Sequence, residues 1–386
     1  MKIAFLSTWF PPFIVGSGNR FYEVGRRLSR NHELHVYTTG IDGCVDEEYM
    51  EGMHIHRYGI HNISNSVEKE SYVLNIKFSL HLLKKNLELI QKNNKFDIID
   101  CNIVSKTLPY ASYFISKSIH VPMVETWHEV WYKENFGQYS SMMAIPGFYL
   151  ELYMPKVSDF NIAVSETTKR RMVDLLKVNP NKISVISNGV DLKKFNGVSA
   201  EKRYGRILYV GRLESHKCVD KLLFAYHQLK KGYKDIDLII VGKGPQKEYL
   251  INLSKKLDLK DITFLDPIPY DRLIAVMKSS WILVLPSIRE GQGIVLLEAM
   301  AAGTPPIAVK AEGSAVGDVI KNNYNGLLVP QSEIEVAIQK LLTDEDLYEN
   351  LKKNGLEFVK DYDWDKIAER TAEIYEMVKK VHDNPR

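Results

Sequence analysis

The segment SIREGQGIVLLEAMAAGTPPIAV, from Ser287 to Val309, combines glutamates, glycines and a helix start in an order suited to ligand binding. The proline before the segment and the glycines within it predict that the next helix begins only at about Ile294. The free N–H groups of a helix start can bind a phosphate, helped by the positive end of the helix dipole. The candidate phosphate-binding residues are therefore Gly291, Gly293, Ile294 and Val295.

Two glutamates flank this predicted helix start. Glu290 lies in the loop, and Glu298 lies about one turn into the helix. A carboxylate one turn into the helix can accept two hydrogen bonds from a vicinal diol such as that of ribose, whereas the loop carboxylate would face a group beyond the phosphates. The pattern suggests a nucleotide with a further group attached. An ordinary helix N-terminus with two solvated glutamates is an equally good interpretation.

The segment VGRLESHK places two cations shortly after a predicted strand. Arg212 and Lys217 could both neutralise the charge that grows on a departing diphosphate. The alternative is that they are surface charges on a loop. The nearby VGKGP turn contributes Gly242, although a lone GxG is more often a tight turn than a ligand contact.

The first half of the chain holds three further candidates. Gly16 and Gly18 lie between the first strand and a helix predicted to begin near Asn19, where backbone without a Cβ atom can approach a phosphate or sugar closely. A third glycine and a downstream acid are missing, so a dinucleotide-binding fingerprint fits poorly. His128 ends the strand PMVETWH; a lone histidine is usually structural, but the carboxyl end of a strand is a common place for a ligand.

The elements that must position these residues alternate between strand and helix patterns along the whole chain. Its 386 residues exceed one ordinary core, and the pattern restarts near residue 205, so we expect two doubly wound α/β halves with a cleft between them. A polar, Gly- and Asn-rich stretch at 191–204 is predicted to be a linker. The last helical pattern, from Trp364, could belong to either half.

The composition excludes several classes of protein. A net charge of +3 is small for this length and argues against nucleic-acid binding over a large basic surface. Three cysteines without a CxxC pair suggest neither a disulfide framework nor a zinc site. Since no signal peptide or membrane-spanning run is recognised, we expect a cytoplasmic protein or one attached to the membrane from one side.

Several motifs, in their order along the chain, resemble those of one enzyme family. The E-x7-E spacing from Glu290 to Glu298 looks like the signature of the retaining GT-B glycosyltransferases of family 4, the glycosyl transferases group 1. The motifs FPP-x3-GSG, TWH, IAVSE, ISNGVD, VGRL-x3-K, VGKGP and NGLLVP extend the resemblance over nearly the whole chain. It implies a GT-B fold, in which two Rossmann-like doubly wound α/β domains face each other across a cleft.

The resemblance also implies roles for the matching residues. Glu298 would hold the ribose hydroxyls of a nucleotide-sugar donor, and Glu290 would hold the hydroxyls of its sugar. Arg212 and Lys217 would bind the diphosphate beside the amides of the helix start. Members of the family need no metal ion and no separate cofactor, because cations and the helix end take the place of a metal.

In the first half, the resemblance places Gly16 and Gly18 on the donor or acceptor side and His128 next to the transferred sugar. The implied organisation is an acceptor domain at 1–190, completed by the C-terminal helix 364–386 that crosses back to it, a linker at 191–204 and a donor domain at 205–363. Three places depart from the family pattern. Gln292 replaces an aromatic residue, Glu129 replaces an aspartate, and AEGSAVGDVI replaces a glycine-rich loop, with only Gly313 and Asp318 as candidate matches.

The function predicted from these features is transfer of a hexose from a UDP-, GDP- or ADP-sugar to a hydroxyl of a glycan or lipid-linked acceptor. The predicted mechanism retains the anomeric configuration by front-face attack without a metal ion. The alternatives are a GT-B sugar-nucleotide epimerase and a non-catalytic sugar-nucleotide-binding subunit. An epimerase would convert a sugar nucleotide without an acceptor, and a binding subunit would never turn it over.

Peripheral attachment to an anionic membrane surface is a further hypothesis. The first helix carries a stripe of Arg20, Arg27 and Arg30, with Arg26 nearby, beside the apolar loop Trp9–Ile14. The stretch SMMAIPGFYLELYMPK adds apolar residues. A solvated helix face and a buried core helix are the alternatives for these two features.

Overall fold

The computed structural model describes residues 1–12, 16–41, 44–61, 74–84, 95–131 and 141–384. The chain divides into two compact units. Unit 1 comprises Met1–Asn188 and Trp364–Arg386, and unit 2 comprises Gly189–Asp363. Of the helices described, none is both long and apolar enough to cross a lipid bilayer.

Unit 1 contains an eight-stranded sheet within its described residues, with the strand order β3-β4-β2-β1-β5-β6-β7-β8. The strands are β1 (Lys2–Leu6), β2 (Glu33–Ile41), β3 (Glu47–Met50), β4 (Met53–His61), β5 (Ile98–Ile103), β6 (Met123–Trp127), β7 (Phe160–Ala163) and β8 (Ile183–Val185). The pairs are parallel, as the alternating pattern predicted, except that β3 runs antiparallel to β4.

The antiparallel strand β3 was not predicted from the sequence. Its residues EEYM alternate between exposed and half-buried positions, so they form no apolar run. A two-residue turn at Glu51 and Gly52, both with positive φ angles of 50° and 84°, joins β3 to β4 as a hairpin. The strand therefore depends on turn geometry rather than on hydrophobic patterning.

Helices cover both faces of this sheet. They are α1 (Gly16–Leu28), α2 (74–84), α3 (Leu108–Ile119), α4 (Ser141–Val157), α5 (Glu166–Leu176) and the C-terminal α14 (Trp364–Asp383). Alternate residues of β1 point to opposite cores: Ile3 and Phe5 pack with α1 and α14, whereas Ala4 and Leu6 pack with α2 and α3. Helix α1 begins at Gly16, three residues earlier than predicted, and the C-terminal helix belongs to unit 1.

Unit 2 is built on a six-stranded parallel sheet with the order β11-β10-β9-β12-β13-β14 in its described residues. The strands are β9 (Arg206–Val210), β10 (Asp237–Val241), β11 (Ile262–Leu265), β12 (Ile282–Leu285), β13 (Pro306–Val309) and β14 (Leu327–Val329). The alternation of strands and helices predicted for this half, with its parallel sheet, is thereby confirmed. Its helices are α6 (Leu192–Gly197), α7 (Val219–Leu229), α8 (Lys247–Lys256), α9 (Tyr270–Ser279), α10 (Ile294–Ala301), α11 (Val316–Val319), α12 (Ile334–Thr343) and α13 (Glu345–Phe358). The segment 191–204, predicted to be a linker, lies within unit 2 and contains α6.

Candidate functional site

The loop between β12 and α10 forms the helix start that the sequence predicted. Helix α10 begins at Ile294, and Gly293 before it adopts a left-handed conformation with φ 81°. As the N-cap residue, Gly293 has no side chain to accept hydrogen bonds from the first-turn amides. The amides of Ile294 and Val295 therefore lie at a helix start that no N-cap side chain satisfies.

Lys217 and Glu290, which are distant in sequence, form an ion pair next to this helix start. The Lys217 Nζ atom lies 2.7 Å from Glu290 Oε1, and the two side chains are only 13% and 11% exposed. The backbone holds them together, because the amide of Ile288 donates to the carbonyl of His216 at 3.1 Å. The amide of Ala315 donates to the carbonyl of Glu290 at 2.9 Å, which ties the loop before α11 to the same place.

Arg212 lies on the same loop as Lys217 but has a different partner. Its side chain is 68% exposed, and its Nη1 atom lies 2.5 Å from Glu214 Oε1. The structure therefore does not join Arg212 directly to the pair of Lys217 and Glu290.

His216, on the same loop, is surrounded by cations. Its pKa is lowered to about 3, first by burial and then by the positive charges of Lys217, Arg289 and Arg212. Arg289 is thus a third cation near this loop, which sequence reasoning missed although it directly precedes Glu290.

Glu298 lies on α10, as predicted, and has a partner that was not predicted. The hydroxyl of Tyr270, the first residue of α9, donates to Glu298 Oε1 at 2.9 Å. Burial raises the pKa of Glu298, and the hydrogen bond from Tyr270 partly opposes that shift. The bond also fixes the direction of the carboxylate. The Lys194 ammonium lies 5.6 Å from the centre of the Tyr270 ring.

Gly242 occupies a position where two loops of unit 2 touch. The loops that follow β9 and β10 exchange backbone hydrogen bonds, with the amide of Leu213 donating to the carbonyl of Lys243 at 2.9 Å. A Cβ atom on Gly242 would lie 1.9 Å from the carbonyl oxygen of Gly211. The packing of the protein itself therefore requires glycine there, and a contact of Gly242 with a ligand stays a prediction.

Two buried hydroxyl groups near Glu290 lack a hydrogen-bond partner among the described residues. They belong to Ser287, two residues after the end of β12, and to Ser314, directly before Ala315. Ser314 lies in the AEGS segment where the chain departs from the resembled family. Gln292, also a departure, is buried at 4% exposure. Buried hydroxyls without partners are uncommon and destabilise the folded state.

In unit 1, a chain of hydrogen bonds fixes the state of His128 at the end of β6. The Ser7 hydroxyl donates its proton to the Trp9 carbonyl at 2.7 Å, so Ser7 Oγ can only accept from Asn102 Nδ2 at 2.8 Å. The Asn102 Oδ1 atom therefore accepts from His128 Nε2 at 2.9 Å. Burial, assisted by the charge of Arg20, lowers the pKa of His128 to about 3. His128 is thus neutral at pH 7, protonated on Nε2, with Nδ1 as a hydrogen-bond acceptor.

The two glycines of the first half differ in their surroundings. A Cβ atom on Gly18 would lie 2.8 Å from the carbonyl oxygen of Trp9, so the protein backbone itself uses the space that the missing side chain leaves. At Gly16, a Cβ atom would have no described atom of its surroundings within 4 Å, and the residue is exposed. The proximity of both glycines to a ligand therefore stays a prediction.

The structure corrects the predicted basic stripe on α1. Arg30 lies beyond the end of the helix and, although its side chain is 56% exposed, it is 3.5 Å from Asp365. Arg20 is 2% exposed and donates to the carbonyl of Ser187 at 2.7 Å. Arg27 is also buried and pairs with Asp365 of α14 at 2.6 Å. Arg26 pairs with Glu23 at 2.7 Å on the same helix. Residues 13 and 14 of the loop Trp9–Ile14 lie outside the described residues.

Comparison with known proteins places this architecture in a class and then in a family. A family model for "Glycosyltransferase Family 4" matches residues 14–194, and one for "Glycosyl transferases group 1" matches residues 192–358. The solved structure of sucrose-phosphate synthase from Thermosynechococcus elongatus has a TM-score of 0.83 at 20% identity, covering 98% of this chain and 99% of that one. The fold is therefore that of the GT-B glycosyltransferases.

The relatives agree with this class over the full length of the chain. An uncharacterized glycosyltransferase of Methanocaldococcus jannaschii is 28% identical over 405 residues, covering 98% of each chain. The structure of Anabaena HepE in complex with UDP-glucose has a TM-score of 0.74 at 17% identity, covering 98% of this chain and all of that one. The chain belongs to glycosyltransferase family 4 and is a glycosyltransferase.

Proposed function

We propose that this glycosyltransferase moves a hexose from a nucleotide diphosphate sugar to a hydroxyl group of a glycan or lipid-linked acceptor, with retention at the anomeric carbon. The observation that carries the proposal is the largely buried pair of Lys217 and Glu290 beside the start of α10, where a cation, a carboxylate and uncapped amides meet. A UDP-glucose complex of the structurally similar HepE supports a nucleotide sugar as the donor.

In this proposal, the residues of unit 2 bind the donor. The amides of Ile294 and Val295 receive phosphate oxygens, because the helix dipole favours negative charge at that end. Glu298, oriented by Tyr270, accepts hydrogen bonds from the ribose hydroxyls. Lys217 shifts part of its interaction from Glu290 to the diphosphate, which frees Glu290 to accept hydrogen bonds from the hydroxyls of the sugar.

The proposed chemical step is a front-face displacement. The bond between the anomeric carbon and the diphosphate oxygen breaks with both electrons going to the diphosphate. The acceptor hydroxyl forms its new bond on the same face, and its proton passes to an oxygen of the leaving diphosphate. Lys217 and Arg212 stabilise the charge that develops there, so their loss should lower kcat.

A thermal-shift screen across UDP-, GDP- and ADP-sugars tests donor binding directly. A ligand that binds only the folded protein adds about 2.7 kcal/mol of stability at 100 times its Kd. The Lys217→Ala variant should lose most of the shift, whereas Lys353→Ala, which removes an exposed lysine of unit 2, should retain it. If no nucleotide sugar raises the melting temperature, or if Lys217→Ala retains the full shift, the proposed site is wrong.

A turnover assay distinguishes transfer from the alternative functions. With the donor identified by the screen, sugar release from the nucleotide should depend on an added acceptor, and Lys217→Ala should lower kcat by about 10²–10³. Interconversion of two sugar nucleotides without an acceptor would instead identify an epimerase. Donor binding without turnover across a panel of glycan and lipid-linked acceptors would identify a binding subunit.

A further inference from the structure

Three neighbouring helices of unit 1, α2, α3 and α4, cover one face of the eight-stranded sheet. Their inward residues share one core with β1, β5 and β6, including Phe78 of α2, Ile115 of α3 and Val157 of α4. Side chains join them in order. The hydroxyl of Ser79 on α2 lies 3.0 Å from that of Thr107 before α3, and the Tyr110 hydroxyl on α3 donates to a carbonyl of α4 at 2.7 Å.

The outward side of these helices carries large apolar side chains that the fold leaves uncovered. Their exposed fractions range from 36% to 60%. They are Ile76 and Leu80 of α2, Phe114 of α3, and Tyr149, Leu150 and Tyr153 of α4. We call this set the helical apolar face. Exposed apolar residues that gather on three adjacent helices, rather than lying singly, are typical of an interaction surface.

The exposed charges on the same helices are of one sign among the described residues. Four exposed lysines are present: Lys77 and Lys84 on α2, Lys117 on α3 and Lys156 on α4. Helices α2 and α3 contain no acidic residue over 74–84 and 108–119. The acid of α4, Glu151, is 3% exposed and accepts a hydrogen bond from the backbone of Trp131. The helical apolar face is therefore bordered by positive charge.

Two of these lysines stand beside aromatic rings of the same surface. The Lys156 ammonium lies 4.9 Å from the centre of the Tyr153 ring, and the Lys117 ammonium lies 5.6 Å from that of Tyr113. Lys117 also pairs with Asp159, which follows α4, at 3.6 Å. Tyrosine rings with lysines beside them suit the head-group layer of a bilayer, because the ring can pack against lipid while its hydroxyl and the ammonium groups stay in water.

We propose that the helical apolar face binds an anionic lipid bilayer. The apolar and aromatic side chains would enter the head-group layer, and the four lysines would lie against lipid phosphates, each strengthening the attraction to an anionic surface. This proposal extends the proposed function, since a lipid-linked acceptor is held in such a bilayer. It replaces α1, whose arginines are buried or paired, with α2–α4 as the lipid-facing element.

Vesicle flotation of the full chain, without any nucleotide sugar, tests the proposal separately from the proposed function. The protein should float with vesicles of 70% phosphatidylcholine and 30% phosphatidylglycerol and should remain unbound with pure phosphatidylcholine. The double variant Lys77→Glu/Lys156→Glu, which leaves the pair of Lys117 and Asp159 intact, should reduce the partition coefficient at least tenfold. Phe114→Ser/Tyr153→Ser should also reduce it, because insertion of the rings is lost.

The matched control is Lys255→Glu/Lys256→Glu, which reverses two exposed lysines of α8 in unit 2. This control should float like the wild type. The variants of the helical apolar face should keep the wild-type melting temperature and donor-induced thermal shift, because the altered side chains are exposed. Equal flotation of the wild type on neutral and anionic vesicles, no flotation on either, or an equal loss in the α8 control would overturn the proposal.

Discussion

Replacing His128 with glutamine should abolish the loss of stability that this imidazole contributes to unit 1 at acidic pH. Burial lowers the pKa of His128 from 6.5 to about 3, and the charge of Arg20 acts in the same direction. In the unfolded chain the imidazole has its ordinary pKa, so below pH 6.5 the unfolded state binds a proton that the folded state does not. The stabilisation from neutral His128 is therefore complete above pH 6.5 and is lost as the pH falls towards 3.

The size of the effect follows for a change from pH 8 to pH 5. At pH 5 the imidazole is almost fully protonated in the unfolded chain and almost fully neutral in the folded protein. This difference removes about 2 kcal/mol from the free energy of unfolding of the wild type, and the figure holds for any folded-state pKa below about 4. Asp100, whose pKa burial raises to about 6, titrates in the same range with the opposite sign, but it is present in both proteins and cancels in their difference.

Glutamine is the matched replacement, because its side-chain amide can still donate to Asn102 and has no titratable group. Urea unfolding at pH 8 and pH 5, followed by tryptophan fluorescence, measures the two free energies of unfolding. The fluorescence reports mainly on unit 1, which holds four of the five tryptophans: Trp9, Trp127, Trp131 and Trp364. The variant should lose about 2 kcal/mol less than the wild type between the two pH values. Equal losses would mean that folded His128 takes up a proton, and the reasoning from its burial would be refuted.

Three further predictions concern single contacts. Tyr270→Phe should weaken binding of the nucleotide-sugar donor by about five- to tenfold in calorimetry, because Glu298 loses the hydrogen bond that orients it; an unchanged Kd would contradict that role. Ser314→Ala should leave the free energy of unfolding unchanged or raise it by up to about 1 kcal/mol, since it removes a buried unpaired hydroxyl; a loss above about 1 kcal/mol in urea unfolding would show a missed partner. In protein with ¹⁵N-labelled histidine, His128 should show a protonated Nε2 and an unprotonated Nδ1 at pH 7, and Asn102→Ala should mix the two tautomers; the opposite tautomer in the wild type would refute the hydrogen-bond directions.

The sequence predicted the parallel sheets and the start of α10 because these features have local causes. Strands buried on both faces appear as continuous apolar runs such as RILYV and ILVL, and the glycines before Ile294 prevent an earlier helix start. Strand β3 was not predicted, because its residues EEYM form no such apolar run. Its pairing depends on the turn at Glu51 and Gly52 instead.

Other features depend on partners that are far apart in sequence. The basic stripe of α1 was predicted to be exposed to lipid or solvent, but Arg27 pairs with Asp365, 338 residues later, in a helix that packs against α1. The bond from Tyr270 to Glu298 and the bond from His128 to Asn102 likewise join separate elements. Periodicity in one segment contains no information about such partners, so only the fold shows them.

A crystal structure with an intact nucleotide sugar tests the central claim most directly. The diphosphate should lie at the start of α10, with its oxygens within hydrogen-bonding distance of the amides of Ile294 and Val295 and of Lys217 Nζ. The ribose hydroxyls should contact Glu298. Clear density for the donor at any other place in unit 2 or in unit 1, with the start of α10 left to solvent, would contradict the account.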